Sequence, residues 1–470
     1  MRVMKFGGTS VGTPAAIDQT ATILADARRA GEPIVAIVSA MSGVTNLLLD
    51  AAGDAAAGRP SGAVDLHQAL VGRHRSVLDE LMTSPAQRDE VAADIATLAE
   101  RCIRLIESVS VLGDLSPRVQ DWIVSFGERM SSRVVAGVVR DRGVASIAVD
   151  SDRVIVTDDV FGGASPLLDD TREAAGAALG ELIADGVVPV VTGFFGGTRS
   201  GATATLGRGG SDFSASILGN ALDADEIWIW TDVDGVMTAD PRLVPDARTL
   251  PAISFAEATE LAYFGAKVIH PRTMQPAAER GIPIWIKNTF RPENPGTRIG
   301  PEPADDGAVK AITAIPGLSV ITVEGSGLLD VAGVTARVFS ALARSGVNVF
   351  MISQASSQHS LSFVVRGMDG PHVIHVLEQE FELDLLRERL LRIWEDPRVA
   401  IVAVVGAGMR GTPGVAGRVF QTLGAERINI VAIAQGSSEL NISCAIGQAE
   451  VARAVPALHR AFALAEGGSS

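Results

Sequence analysis

Residues Ala403–Gly414 read AVVGAGMRGTPG, and Gly406, Gly408 and Gly411 spell G-x-G-x-x-G directly after the apolar run VAIVAVVG. That spacing marks a dinucleotide-binding turn, whose glycines let a pyrophosphate approach a helix N-terminus. If the pattern is real, the chain is an oxidoreductase or part of one. The chain argues against this by repeating itself. GSGLLDVAGVTARVFSALARSGVNVFMISQASS starts at Gly325 and GAGMRGTPGVAGRVFQTLGAERINIVAIAQGSS at Gly406, a constant offset of 81 residues, with roughly 14 identities in 41 ungapped positions. In the first copy Asp330 stands where the third glycine would fall, and Glu426 precedes the second strand instead of closing it. Only about sixty residues follow Gly411, too few for two mononucleotide halves. The glycines therefore read as a strand-to-helix turn, and each copy as one small α+β module.

Upstream of the repeat the pattern changes. Apolar, β-branched runs (RVMKFG, PIVAIVSA, SIAVD, VVPVVTGF, EIWIWTD and IPIWIKN) alternate with Ala-rich helical segments such as Ala15–Ala30 and Asp169–Ala184. This rhythm predicts a mostly parallel sheet with helices on both faces. Val64 to Arg140 reads as an almost wholly helical excursion. FRPENPGTRIGPEPADDG, Phe290 to Gly307, holds four prolines and is the best boundary between the two regions. The run AVKAITAI just after it offers a strand that ties the two repeats together.

A chain of 470 residues with 47% hydrophobic and 20% charged residues fits about three globular domains. Cys102 and Cys444 form no disulfide framework, and the N-terminus MRVMKFGGTS lacks an apolar signal core, so the cytoplasm is expected. A net charge of −15 argues against nucleic acid or an anionic membrane as partner. Anionic substrates would need a local cluster of cations and N–H groups.

Four segments upstream carry such chemistry. KFGGTSVG, Lys5 to Gly12, sets paired glycines and a lysine before a helix, which suits a phosphate, although a tight structural turn would look the same. ATATLGRGGSDFSA, Ala202 to Ala215, puts Arg208, Ser211 and Asp212 on one glycine-rich loop; Arg208 can fork onto a carboxylate, while Ser211 and Asp212 can also serve only as helix caps. IWIWTDVDGVMTADPR, Ile227 to Arg242, hints at a calcium loop through Asp232 and Asp234. Met237 and Leu243 stand where that loop needs Gly and Glu, so a nucleotide loop at a strand end is preferred. FGAKVIHP, Phe264 to Pro271, offers Lys267, which also fits a solvated helix position, and a structural His270.

In order and spacing, KFGGTSVG, SAMSGVTNLL, SFGERMS, LGRGGSD, WTDVDGVMTADPR and FGAKVIHP resemble the aspartate kinase family of the amino-acid kinase superfamily. The repeats look like ACT domains. MISQASSQHSLSF and VAIAQGSSELNIS look closest to the kinase half of bifunctional aspartate kinase–homoserine dehydrogenases. The resemblance implies a three-layer αβα kinase fold over 1–295, a linker and swapped strand over 296–311, and ACT-type α+β domains over 312–393 and 394–466. The chain ends at Ser470, where such a protein would begin its dehydrogenase, so it is either a monofunctional kinase or a chain cut there.

The implied reaction joins ATP, with Mg2+, to L-aspartate. By resemblance, Lys5 steadies the transferring phosphoryl, Gly7, Gly8 and Ser10 cradle phosphates, and Thr231, Asp232, Met237, Arg242 and Lys267 line the nucleotide. Met237 stands where the family has tyrosine. Thr45, Glu128, Arg208, Ser211 and Asp212 hold aspartate, with Ser39 close by; Lys5, Arg208 and Asp212 are the catalytic set. No residue set reads as a resident metal site. Asn348, Gln354, Asn429 and Gln435 are expected to bind an amino-acid effector, threonine first and lysine second, although such amides can also merely satisfy turn backbone. A homodimer or homotetramer through the ACT domains is implied. A catalytically inactive amino-acid sensor and a kinase for another small acid remain as alternatives.

Overall fold

The computed structural model describes residues 1–59, 62–266, 269–301, 307–325, 333–354, 360–387 and 392–465. They divide into two compact units. The first comprises Met1–Val236, Pro251–Phe255 and Ile269–Glu302; the second comprises Met237–Leu250, Ala256–Val268 and Pro303–Ser470.

The first unit opens with β1 (Arg2–Phe6), α1 (Pro14–Arg29), β2 (Ile34–Val38), α2 (Val44–Ala56), α3 (Ala63–Leu81), α4 (Pro85–Leu112) and α5 (Pro117–Asp141). It continues through β3 (Ser146–Val149), β4 (Val156–Thr157), α6 (Leu168–Ala184), β5 (Val188–Thr192), β6 (Phe195–Thr198), β7 (Thr203–Thr205), α7 (Gly210–Ala221), β8 (Glu226–Thr231) and β9 (Ala252–Ser254). After α8 (Phe255–Tyr263), which falls almost wholly in the second unit, come α9 (Pro271–Glu279), β10 (Ile284–Asn288) and β11 (Thr297–Gly300). The main sheet runs β3-β5-β2-β1-β8-β10-β11-β9 and is parallel from β3 to β10.

Local signals explain the elements. Thr13 caps α1, accepting from the Ala16 N–H, with Pro14 in the first turn; Ser116 and Pro117 repeat the device at α5. Strands β2 (IVAIV) and β5 (VPVVT) are buried at every position, as a sheet covered on both faces requires. Met4, Phe6, Ala36 and Val38 pack with residues of α1 to α5 such as Ile17 and Phe126. On the opposite face α7 lies so close that a Cβ on Gly219 would sit 2.5 Å from Ile227. The predicted helical excursion is present as α3, α4 and α5.

Two features differ from the sequence reading. The Pro-rich stretch read as linker contains β11, antiparallel to β10. The turn depends on Gly296, at φ +81, where a Cβ would lie 2.1 Å from the Ile286 carbonyl oxygen. The small sheet β4-β6-β7 also lacked a clear periodic signal, because its strands are only two to four residues long.

The second unit carries β12 (Ala311–Glu324), α10 (Val334–Arg344), β13 (Met351–Gln354), β14 (Ser360–Arg366), α11 (Gly370–Glu380) and α12 (Glu382–Leu386). Then follow β15 (Arg392–Val405), α13 (Val415–Ala425), β16 (Ile430–Ala434), β17 (Asn441–Gly447) and α14 (Val451–Ala461). The 81-residue offset reappears element by element: β12 and β15, α10 and α13, β14 and β17, and α11 and α14 correspond end to end. One six-stranded sheet, β13-β14-β12-β15-β17-β16, joins both repeats. Its centre is the antiparallel pair β12–β15. Ala311–Ile315, from the run singled out before the first repeat, pairs there with Ile401–Val405.

The glycines of the apparent fingerprint serve this sheet. A Cβ on Gly406 would sit 2.3 Å from the Ala308 carbonyl oxygen, and one on Gly408 would sit 2.8 Å from that of Gly307. Their close neighbour is the chain's own backbone. Gly414, at φ +91, then starts α13. Gly406→Ala is therefore expected to destabilise the protein by about 1–3 kcal/mol through overpacking. Urea denaturation checks this; an unchanged midpoint would contradict the close packing.

Candidate active site

Parallel strands place their C-terminal ends along one edge, where α/β folds bind ligands. Phe6 pairs with Val38 on one side and Trp230 on the other, so the loops after β1, β2 and β8 emerge together. Backbone bonds fix them: Gly7 N–H donates to the Trp230 carbonyl at 3.3 Å, Ser39 N–H to Phe6 at 3.1 Å, and Gly193 N–H to Val38 at 2.9 Å.

At this edge lies a cleft of about 360 Å³, lined by Lys5, Gly8, Ser39 to Gly43, Thr45, Asn46, Glu128, Phe194 and Gly209 to Asp212. Two helices begin on it. Gly43 precedes α2 and Gly209 precedes α7, both left-handed (φ 81 and 69) and neither capped by a side chain. Uncapped N-termini present N–H groups and partial positive charge to an anion. Lys5 adds a full charge from the end of β1; its Nζ lies 2.6 Å from Asp212 Oδ1 in the first turn of α7. Both side chains are largely buried, which fixes the ammonium at the first turn of α7.

Glu128 supplies the opposite requirement. It projects from α5 and is only 3% exposed. Oε1 accepts from the Ala40 N–H at 3.1 Å, whereas Oε2 is buried without a hydrogen-bond partner. Burial raises its pKa to about 8, outweighing the Ala40 bond and the neighbouring Arg129 charge. Arg129 is directed elsewhere: it pairs with Asp150 at 2.7 Å and Asp152 at 2.5 Å and lies over the Phe195 ring. The cleft thus sets positive groups, at the helix termini and Lys5, opposite one buried carboxyl, Glu128. Phe194 lines it at φ 77, a left-handed conformation that costs a non-glycine residue about 1–2 kcal/mol. Its N–H donates to Ser214 Oγ, and its carbonyl accepts from Leu206.

The predicted residues divide unequally. Lys5, Gly8, Ser39, Thr45, Glu128, Ser211 and Asp212 meet at the cleft. Gly7 adjoins it, and a Cβ there would lie 3.2 Å from Lys5 Nζ. Ser10 does not reach it. Its side chain is fully buried, with Oγ 2.7 Å from Thr289 Oγ1 and 3.3 Å from the Trp230 carbonyl. That hydroxyl ties the loop to the end of β8 and to Thr289, just after β10. Arg208 is exposed and outside the cleft lining, because Gly207 and Gly209 carry its loop outward with positive φ.

The nucleotide set is more dispersed. Thr231 ends β8 beside Gly7, and its hydroxyl donates to Asp232 Oδ1 at 3.1 Å. Met237 and Arg242 fall in the second unit, where Met237 pairs with Thr249 across a bridge and Arg242 folds onto Asp240. Lys267 lies outside the described residues. His270 has the expected structural part, since its Nδ1 caps α9 by accepting from the Arg272 N–H.

The four amides expected to bind an effector occupy equivalent places at the two edges of the six-stranded sheet. Asn348 precedes β13 and Gln354 ends it; Asn429 precedes β16 and Gln435 follows it. All four are exposed.

Sequence reasoning left Ala40, Met41, Ser42, Gly43, Asn46 and Phe194 unassigned. The first five belong to SAMSGVTNLL, whose Gly-Val-Thr-Asn reads as a helix start, so the motif contained the signal. Phe194 had none, because its left-handed backbone follows from tertiary packing.

Comparison with known proteins agrees with this geometry. Residues 1–288 match the model of the amino acid kinase family, and residues 321–381 and 402–462 each match that of an ACT domain. The class is therefore an amino-acid kinase unit joined to paired ACT domains. The bifunctional aspartokinase/homoserine dehydrogenase of Haemophilus influenzae is 37% identical over 98% of this chain and 56% of its own length. Aspartokinase 1, chloroplastic, of Arabidopsis thaliana is 33% identical over 98% of this chain and 80% of its own. The chain spans about half the length of the bifunctional relatives it matches. Aspartokinase III of E. coli, solved with aspartate and ADP, superposes with TM-score 0.79 and 29% identity over 98% of this chain and 99% of that one. Its complex with lysine and aspartate gives TM-score 0.80 and 31% identity, with the same coverage. The chain belongs to the aspartokinase family.

Glu128 has a measurable consequence without any ligand. Its folded pKa of about 8 lies above the ordinary carboxyl value of 4.5, so its stabilising contribution is complete below pH 4.5 and is lost as pH rises through 8. Relative to Glu128→Gln, the wild type is expected to lose about 1.4 kcal/mol per pH unit across that window. Denaturant titrations from pH 4 to 9 check this, and parallel stability curves would contradict it.

Proposed function

We propose that this chain transfers the γ-phosphoryl group of ATP to the β-carboxylate of L-aspartate, giving 4-phospho-L-aspartate and ADP. The observation that carries the reading is Glu128, which lines a cleft otherwise built for anions and whose buried Oε2 has no hydrogen-bond partner. A zwitterionic dicarboxylate meets both demands, its ammonium at Glu128 and its carboxylates at the helix N-termini. Membership of the aspartokinase family supports the choice, as does the E. coli relative solved with aspartate and ADP.

The attacking β-carboxylate has an ordinary pKa of ~3.9 and is ionised at neutral pH, so no general base is needed. One of its oxygens bonds to Pγ while the bond from Pγ to the ADP oxygen breaks, the electron pair leaving with ADP. The protein's contribution is positioning and charge neutralisation. Thr45 and the α2 N-terminus orient one carboxylate, with Ser39 alongside. Ser211 and the α7 N-terminus face the other, and Arg208 swings in from its exposed loop to fork onto the α-carboxylate. Lys5, held by Asp212, steadies the transferring phosphoryl, and Gly7 and Gly8 leave room for the phosphates behind it. Thr231, Asp232, Met237, Arg242 and Lys267 hold the rest of the nucleotide. Mg2+ would arrive on the phosphates and neutralise part of their charge; among the described residues no group of three or more metal-ligating side chains gathers to hold it separately.

Within this reading catalysis resides in 1–295, 296–311 links and exchanges a strand, and 312–393 and 394–466 form the two regulatory domains. We further propose that an amino acid, threonine first and lysine second, binds near Asn348, Gln354, Asn429 and Gln435, and that the ACT domains pair chains into a homodimer or homotetramer. The E. coli relative solved with lysine supports amino-acid control of this kind. Among the described residues no helix is long and apolar enough to cross a membrane; we place the enzyme in the cytoplasm.

Hydroxylamine trapping of the acyl phosphate tests the reaction directly. Aspartate-dependent product that falls on adding threonine or lysine is expected. Lys5→Ala should lose about 10²-fold or more of kcat with an unchanged circular dichroism spectrum. No product from any small acid would leave the amino-acid sensor as the correct reading; near-normal turnover in the variant would remove the role of Lys5.

A further inference from the structure

Seven residues before Glu128 on α5, close to two helical turns, sits a second buried carboxylate that no step above uses. Asp121 is only 3% exposed and accepts three hydrogen bonds. Oδ2 takes the Gly162 N–H and the Thr205 N–H, each at 2.8 Å, and Oδ1 takes the Thr205 hydroxyl at 2.8 Å. Thr205 is the last residue of β7. Leu206 to Gly209 follow it, carry Arg208, and deliver the chain to the first turn of α7, where Ser211 and Asp212 face the cleft.

We infer that Asp121 is a positioning residue of the acceptor site, anchoring the base of the Arg208 loop to the helix that carries Glu128. The inference rests on the cleft being the aspartate site. The Gly162 side is also held by Arg272, which donates to the Ala164 carbonyl at 3.0 Å, whereas the Arg208 side has few other fixings. Ala164 N–H donates to the Thr205 carbonyl at 2.8 Å, and Leu206 N–H to Phe194 at 2.8 Å. Beyond them the two loops run side by side, a Cβ on Gly207 standing 3.4 Å from the Gly162 carbonyl oxygen and from Gly163 Cα. Three glycines, Gly207, Gly209 and Gly162, take positive φ in these two loops, so the local backbone has little stiffness of its own. Asp121 supplies it by joining both loops at one buried point. Because Asp121 and Glu128 share a rigid helix, the distance between the group that would take the ammonium and the loop that would take the α-carboxylate is set by α5 itself. Preorganisation of this kind acts on binding of the acceptor, not of the nucleotide.

Steady-state kinetics of Asp121→Ala and Asp121→Asn provide the test. The alanine variant should raise KM for L-aspartate roughly tenfold while KM for ATP stays within about twofold, because three hydrogen bonds at one point are lost. The asparagine variant should stay within about threefold of wild type, since its amide oxygen keeps both N–H bonds and its amide N–H can donate to Thr205 Oγ. Equal rises in both KM values, or unchanged values in folded Asp121→Ala, would overturn the assignment. If Asp121→Ala does not fold, Thr205→Val removes only the hydroxyl bond and should raise the aspartate KM alone, by about two- to fivefold; an unchanged KM would overturn the assignment. Wild-type protein that turns over no aspartate would reject the proposed reaction instead. Hydrogen exchange then judges the anchor by itself: faster exchange over 158–165 and 203–209 in the variant, with α3 and α4 unchanged, supports it, and unchanged exchange refutes it.

Discussion

A buried carboxyl with one satisfied oxygen and one empty one organises this protein's chemistry. Glu128 is held by the Ala40 N–H, in the loop that leads into α2, so the helix that carries the acid and the helix that would receive an anion are fixed to each other. An unpaired carboxylate inside a protein is costly, and Glu128 avoids that cost by holding its proton up to about pH 8. Arg129, the nearest cation in sequence, is committed to Asp150 and Asp152. In the proposed reaction the ammonium of the substrate is the cation that would pair with Glu128.

The parallel sheet makes this arrangement possible. Its strands are apolar and buried on both faces, so they carry almost no chemistry except at their C-terminal ends, where Lys5 closes in on Asp212. The regulatory sheet is built on a different rule. Its two halves share the central strands β12 and β15, so neither repeat completes its sheet without a strand from the other. The glycine pattern that resembles a cofactor fingerprint is a by-product of that exchange: Gly406 and Gly408 leave space for residues 307 and 308. Backbone crowding and pyrophosphate binding demand the same residue, and only the repeat at 81-residue offset separated the two meanings.

Much of the fold was legible because local signals and global packing agree. Thr13-Pro14 and Ser116-Pro117 start helices where the pattern places them, and each apolar run named as a strand is one. The cleft was legible in part. Lys5 and Asp212 stand in short motifs whose chemistry survives in isolation, and Glu128 was reached only through the family resemblance of SFGERMS. The inward turn of the Ser10 hydroxyl was not legible, because its partners Trp230 and Thr289 are 220 and 279 residues away. Strand β11 was hidden by the prolines on either side of it, Pro295 and Pro301, and by its dependence on the turn at Gly296. The raised pKa of Glu128 and the left-handed Phe194 were beyond sequence reasoning for one reason: both are consequences of what surrounds them.

The proton held by Glu128 offers the most direct measurement. Calorimetric titration of L-aspartate into the protein at pH 7, in buffers of differing ionisation enthalpy, counts protons exchanged on binding. An ammonium docking on Oε2 should force the acid to ionise, releasing about one proton per site, and Glu128→Gln should abolish that release. Tight binding of aspartate with no buffer dependence would contradict the pairing, and with it the place given to the substrate's amino group.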